Sequence, residues 1–170
     1  MSEVEKLDVE RMFRHACAFA DCAIFCEREP NNVVEVRTHS HTAAGIVNSV
    51  FACEVFIKTL LTIAGIDFKK EHRLKVLWHK LKKVDTQTTD LLEDSIQKYF
   101  NTQNEKLFQE LLNQASDAFI CWRYIYEVDE ARINILFLIR LRNLLREECC
   151  KKLYGQSWMD YVDSIQCKGK

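Results

Sequence analysis

Between Thr42 and Ala64 apolar side chains return every three or four positions: Ile46, Val50, Cys53, Ile57, Leu60, Leu61 and Ala64. At about 100° per residue they fall in one narrow arc, which predicts a long helix with a single core face. Gly65 supplies its C-terminal stop. Glu54 and Lys58 lie four apart near one side of that face, in the favourable Glu-before-Lys order. The same period predicts a first helix from about Asp8, as N-cap, to about Glu27, where "REPNN" breaks it. A short helix from near His72 to near Val84 buries Leu74, Leu77, Trp78 and Leu81. "DTQTTD" reads as a polar turn, followed by a brief helix over 89–99. A long helix over about 104–127 sets Phe108, Leu111, Leu112, Ala115, Phe119, Trp122 and Tyr126 on one face, with Arg123 at its margin. The last long helix, about 130–153, contains "INILFLI", apolar nearly all round, as expected of a central helix or a dimer interface. "SWMDYVDSI" packs as a tail with Ser157 as its cap. Only "NVVEVRT" at 32–38 hints at a strand, and no repeat or linker divides the chain. The pattern predicts an all-α fold, an antiparallel helical bundle of five or more helices forming a single domain over 1–170.

Composition sharpens this picture. A single proline, Pro30, and four glycines are few breakers for 170 residues, which favours helix. A formal charge of −1 argues against a generally basic nucleic-acid binder while leaving room for a local basic face. No apolar run approaches the roughly 20 residues that span a bilayer, so no membrane partner is expected. The start "MSEVEKLDVERM" is acidic and polar, unlike a signal peptide. The eight cysteines are therefore expected as thiols in a reducing cytoplasm, acting mainly as small hydrophobes. None forms a Cys-x-x-Cys pair, and "HSH" at 39–41 has no second ligand cluster, so neither a metal nor a cofactor is expected.

"FICWRYIYE" at 119–127 sets Arg123 among aromatics. A charge in such company needs water or a partner. The stem is expected along apolar surface with the head in a groove between helices, held by Glu54 or by Glu127 one helical turn onward.

Three stretches in order, "ACEVFIKTLLTIAG", "HRLKVLWHKL" and "WRYIYE", resemble the HEPN superfamily (higher eukaryotes and prokaryotes nucleotide-binding domains) over about residues 40–127. The positions that carry the resemblance are Glu54 with Lys58, His72 with Leu74, and Arg123 with Tyr124. It implies a helical-bundle module that binds a nucleotide or RNA phosphate, in defence or toxin–antitoxin systems. A homodimer and an antitoxin or nucleotidyltransferase partner come with it. The ligand-binding set it implies is Glu54, Lys58, His72, Arg123, Tyr124 and Glu127.

Many members of that superfamily are metal-independent RNases with an arginine and a histidine four to six residues apart. A histidine exchanges protons near neutral pH, and an arginine holds a phosphate with two hydrogen bonds. After Arg123 that slot holds Val128, Asp129 and Glu130, with no histidine. The other match is catalytic candidates Arg73 and His79. On a continuous helix those two point roughly 120° apart, so they meet only through a helix break or a partner chain. Taken singly, each residue also has a structural reading: Arg123 in an ion pair, Glu54 with Lys58 as a surface pair, His79 as a solvated side chain. The sequence leaves three functions: a phosphate-binding module, an RNase acting as a homodimer, and a structural or interaction domain. No Gly-rich phosphate loop is present.

Overall fold

The computed structural model describes residues 8–28, 41–68, 70–102, 104, 106–127 and 132–168, and within helices it leaves out the side chains at 119, 120, 123, 125 and 168. The described residues form seven α-helices and no strand. The fold is an all-α bundle, as the apolar period predicts. "NVVEVRT", Pro30 and the first two residues of "HSH" lie outside the described residues.

Helix α1 (Val9–Glu27) starts where the Asp8 carboxylate accepts the Arg11 N–H at 2.9 Å. Helix α2 (Thr42–Ile63) ends at Ala64, followed by Gly65 at φ 72°. A Cβ on Gly45 would stand 3.2 Å from that of Cys26, so the bare backbone lets α2 start close against the end of α1. Packed against α1, α3, α5 and α6, α2 is the axis of the bundle. A helix enclosed this way is apolar on most sides. Its 22 residues and the hydropathy of its most apolar stretch do reach those of a membrane-crossing segment by length and composition, contrary to the expectation of no such run. Only Glu54 and Lys58 interrupt it with charge over its second half, and its apolar window is 61% buried inside the bundle.

Helix α3 spans Leu74–Val84 and α4 spans Thr86–Tyr99. "DTQTTD" is therefore the start of α4 rather than a free turn: the Asp85 carboxylate caps the Thr88 N–H at 3.2 Å. Helix α5 (Leu107–Arg123) is shorter than its apolar stripe suggests and passes into a single 3-10 turn, Ile125–Glu127. Tyr126, expected on the core face, is 77% exposed because the turn redirects it.

Helix α6 (Ile135–Tyr154) is capped by Asn134 and ends at Gly155 with φ 69°, where a glycine is the ordinary choice. Its apolar run is not buried all round: Phe137, Leu138 and Leu141 enter the core, whereas Ile135 and Leu136 are exposed. The inner face of α6 instead carries two arginines. Arg142 is 1% exposed and clasps the Glu27 carboxylate, Nη1 to Oε1 at 2.6 Å and Nη2 to Oε2 at 3.0 Å, while Nη1 also donates to Ser49 Oγ. Arg146 donates to Asp21 Oδ1 at 3.1 Å and lies 4.5 Å from the Trp158 ring centroid. These contacts tie α6 to α1, and α7 (Trp158–Lys168) to α6. Phe13, Tyr154, Trp158 and Tyr161 complete the seam under α7. All eight cysteines are free thiols. Burial pushes Cys17 and Cys53 up to about 12, so they pack as small apolar groups and not as nucleophiles.

Candidate functional site at the head of α3

Glu54 lies in the second half of α2 and is 3% exposed, far more buried than a surface pair. A buried carboxylate needs several donors. Its Oε1 accepts Lys58 Nζ at 2.7 Å from the next turn of the same helix, and His72 Nδ1 lies 3.0 Å from the same oxygen. The Lys58 ammonium also stands 5.4 Å from the Phe68 ring centroid. Three residues singled out by sequence, Glu54, Lys58 and His72, thus share one oxygen atom. The imidazole is nevertheless open to water, its side chain 70% exposed.

The segment leading into α3 is held by Glu71. Its Oε1 accepts the backbone N–H of His72 at 3.0 Å and of Arg73 at 2.9 Å. The Arg73 guanidinium closes on the same carboxylate, Nε to Oε1 and Nη2 to Oε2, each at 3.1 Å. These bonds hold His72 and Arg73 just outside the helix, so α3, expected from near His72, has its first turn at Leu74. The hydrogen bond from the Arg73 side chain, followed by that from its backbone, lowers the Glu71 carboxyl from 4.5 to about 2. A lowered carboxyl contributes stability above its unfolded value and loses it as pH falls through the folded one. We therefore expect the Glu71 clasp to hold from neutral pH down past 4.5 and to open near 2. A carboxyl carbon titration by NMR checks this, and a Glu71 midpoint above 4 would contradict it.

Once started, α3 presents two unlike sides. Leu74, Leu77, Trp78 and Leu81 are buried, with Trp78 Nε1 donating to Glu93 Oε1 at 2.9 Å and its ring 4.8 Å from that of Phe108. The Lys75 N–H donates to Ser116 Oγ of α5 at 3.2 Å, which fixes the first turn against that helix. The remaining positions are Lys75, Val76, His79, Lys80, Lys82, Lys83 and Val84, with no acidic residue anywhere in the helix. Lys82 is engaged by Glu93 at 2.7 Å and Asp90 at 3.5 Å, and Lys80 donates to the Asp67 carbonyl at 3.4 Å. Lys75 and Lys83 have no ion partner among the described residues.

The two catalytic candidates are not brought together. Arg73 is turned back onto Glu71, and His79 stands exposed about one and a half turns further along α3. Tyr124 and Glu127 are exposed in the turn after α5. Since α5 ends at Arg123, Glu127 is not one α-helical turn onward, as the expected clasp on Arg123 requires. The Arg123 side chain lies outside the described ones, and the proposed Glu54 oxygen is already shared by Lys58 and His72. The residues that sequence reading overlooked are Glu71, Lys75, Lys80 and Lys83. Their signal was available: "KKEHRLK" and "HKLKKV" crowd basic residues around one acid. No family model matches the chain, and no curated protein or solved structure matches it either.

Proposed function

We propose that this chain is a phosphate-binding module for RNA or nucleotides, in keeping with its HEPN resemblance, acting in a reducing compartment such as the cytoplasm. The observation that carries the reading is the head of α3. There a buried carboxylate holds Lys58 and an exposed His72, and the helix that follows has four lysines and no acid. Arg73 spends Nε and one Nη2 hydrogen on Glu71, so its Nη1 edge is left for an anion. Lys75 and Lys83 add point charges along the same helix. The rest of the chain balances this charge, since the whole carries only −1. Binding is favoured over cleavage because Arg73 and His79 do not converge within the chain.

The test is fluorescence anisotropy with labelled single-stranded RNA over a range of salt. Each phosphate contact contributes about 0.7 to the slope of log affinity against log salt for single strands. Arg73→Gln, Lys75→Gln and Lys83→Gln are each expected to weaken binding for every sequence alike and to reduce that slope by up to about 0.7. Affinity unchanged in all three variants would remove α3 from the interface. The absence of any binding at low salt would end the proposal.

A further inference from the structure

We infer that His72, positioned by Glu54, reads a ribose 2′-hydroxyl and so makes the site prefer RNA to DNA; this rests on the phosphate-binding reading above. The argument begins with the Glu54 oxygen. A carboxylate that already receives the Lys58 ammonium can only accept, so the hydrogen of the 3.0 Å contact sits on His72 Nδ1. An uncharged imidazole carries one ring hydrogen. With that hydrogen committed to Glu54, Nε2 is a bare acceptor, and it belongs to a side chain 70% exposed to solvent. A phosphate oxygen is an acceptor too and has nothing to offer it. The group that satisfies Nε2 must bring its own hydrogen.

A cation stands close by. The Lys58 ammonium and the imidazole are bound to one oxygen, at 2.7 and 3.0 Å, and the Lys58 side chain keeps 13% of its surface open. A ligand seated here therefore pairs an anionic oxygen with a neighbouring hydroxyl. In an oligoribonucleotide those groups are adjacent, the 3′-phosphodiester beside the 2′-hydroxyl, and DNA lacks the second. Glu54 never touches the ligand in this scheme. It is a positioning residue that fixes the tautomer, buried so that water does not compete for it.

The experiment compares three single strands of one sequence: RNA, its 2′-deoxy form and its 2′-O-methyl form, whose oxygen has no hydrogen to donate. Measurements are made at about pH 8, above the ordinary histidine range, to favour the uncharged ring. The wild type is expected to prefer RNA over both others by about tenfold, the value of one hydrogen bond. In His72→Ala the RNA-to-DNA ratio should fall to about one, and far-UV circular dichroism confirms the fold of a variant at an exposed position. In Glu54→Leu nothing accepts the Nδ1 hydrogen, so the ring is free to turn and to carry its hydrogen on either nitrogen; the preference should fall toward one, and the ring nitrogen NMR shifts should report the lost tautomer bias. Equal binding of all three strands by the wild type overturns the inference and leaves phosphate binding standing, whereas binding of none overturns both. A preference that survives in His72→Ala overturns the role given to His72.

Discussion

Arg142→Ala is expected to destabilise the protein by about 3–5 kcal/mol, the range for breaking a buried charge pair from one side. The guanidinium is 1% exposed, and it satisfies both oxygens of Glu27 as well as Ser49 Oγ. Removing it opens a cavity and leaves a carboxylate and a hydroxyl short of donors. The Glu27 side chain retains 26% of its surface at the end of α1, so it can turn partly to water, which places the loss toward the lower end. For a domain of this size each kcal/mol moves the melting temperature by roughly 2–4 °C. Arg142→Met together with Glu27→Gln should recover much of the difference, because it fills the space and leaves no unpaired charge. Urea midpoints check both statements. A loss under 1 kcal/mol in Arg142→Ala would mean that the clasp stabilises nothing.

Trp78→Ala should be comparably severe, also about 3–5 kcal/mol, but for a different reason. The indole is 2% exposed, fills the space between α3 and Phe108 of α5, and donates to Glu93 of α4. Its loss leaves a void at the meeting of three helices, whereas Glu93 keeps the Lys82 ammonium as a partner. Trp78→Phe separates the two contributions: it retains most of the packing and gives up the hydrogen bond, worth about 1 kcal/mol. Because the same side chain seats α3, Trp78→Ala should also weaken the RNA binding proposed above, by moving the lysines of that helix. Chemical denaturation beside anisotropy reads both effects, and a Trp78→Ala variant within 1 kcal/mol of wild type would refute the packing argument.

What the chain discloses in advance is what depends on near neighbours in sequence. The bounds of α1 and α2 and the buried set of α3 follow from caps, breakers and a 3.6-residue period, all of which act within a few turns. "DTQTTD" is ambiguous for a reason of the same kind: Asp and Thr serve turns and helix starts alike, and the Thr88 N–H decides between them. The pairing of Arg142 with Glu27 is of another sort. It joins positions 115 apart, and nothing in "LRNLLREE" distinguishes a clasped arginine from a solvated one. Glu54 lies between these cases. Its arc placed it beside the core face, but its burial depends on the approach of the segment carrying Phe68 and His72. The share of the site legible from sequence, Glu54 with Lys58 and His72, is the share close to α2. Glu71 and the lysines of α3 form a basic run legible in the sequence, while the direction of the Arg73 side chain depends on the fold.

The apolar character of α2 has a consequence during synthesis. The chain emerges from its N-terminus, so α2 is finished before any part of α5 or α6 exists. Of the four helices that enclose it, only α1 is then available as cover. For that interval the nascent protein displays a helix of 22 residues whose most apolar stretch has the composition of a bilayer segment as well as of a core. Exposed surface of that kind is what chaperones and aggregation both act on. Pairing of α1 with α2 is thus the first cover the chain has to offer it, and the close approach at Gly45 is what lets that cover fit tightly.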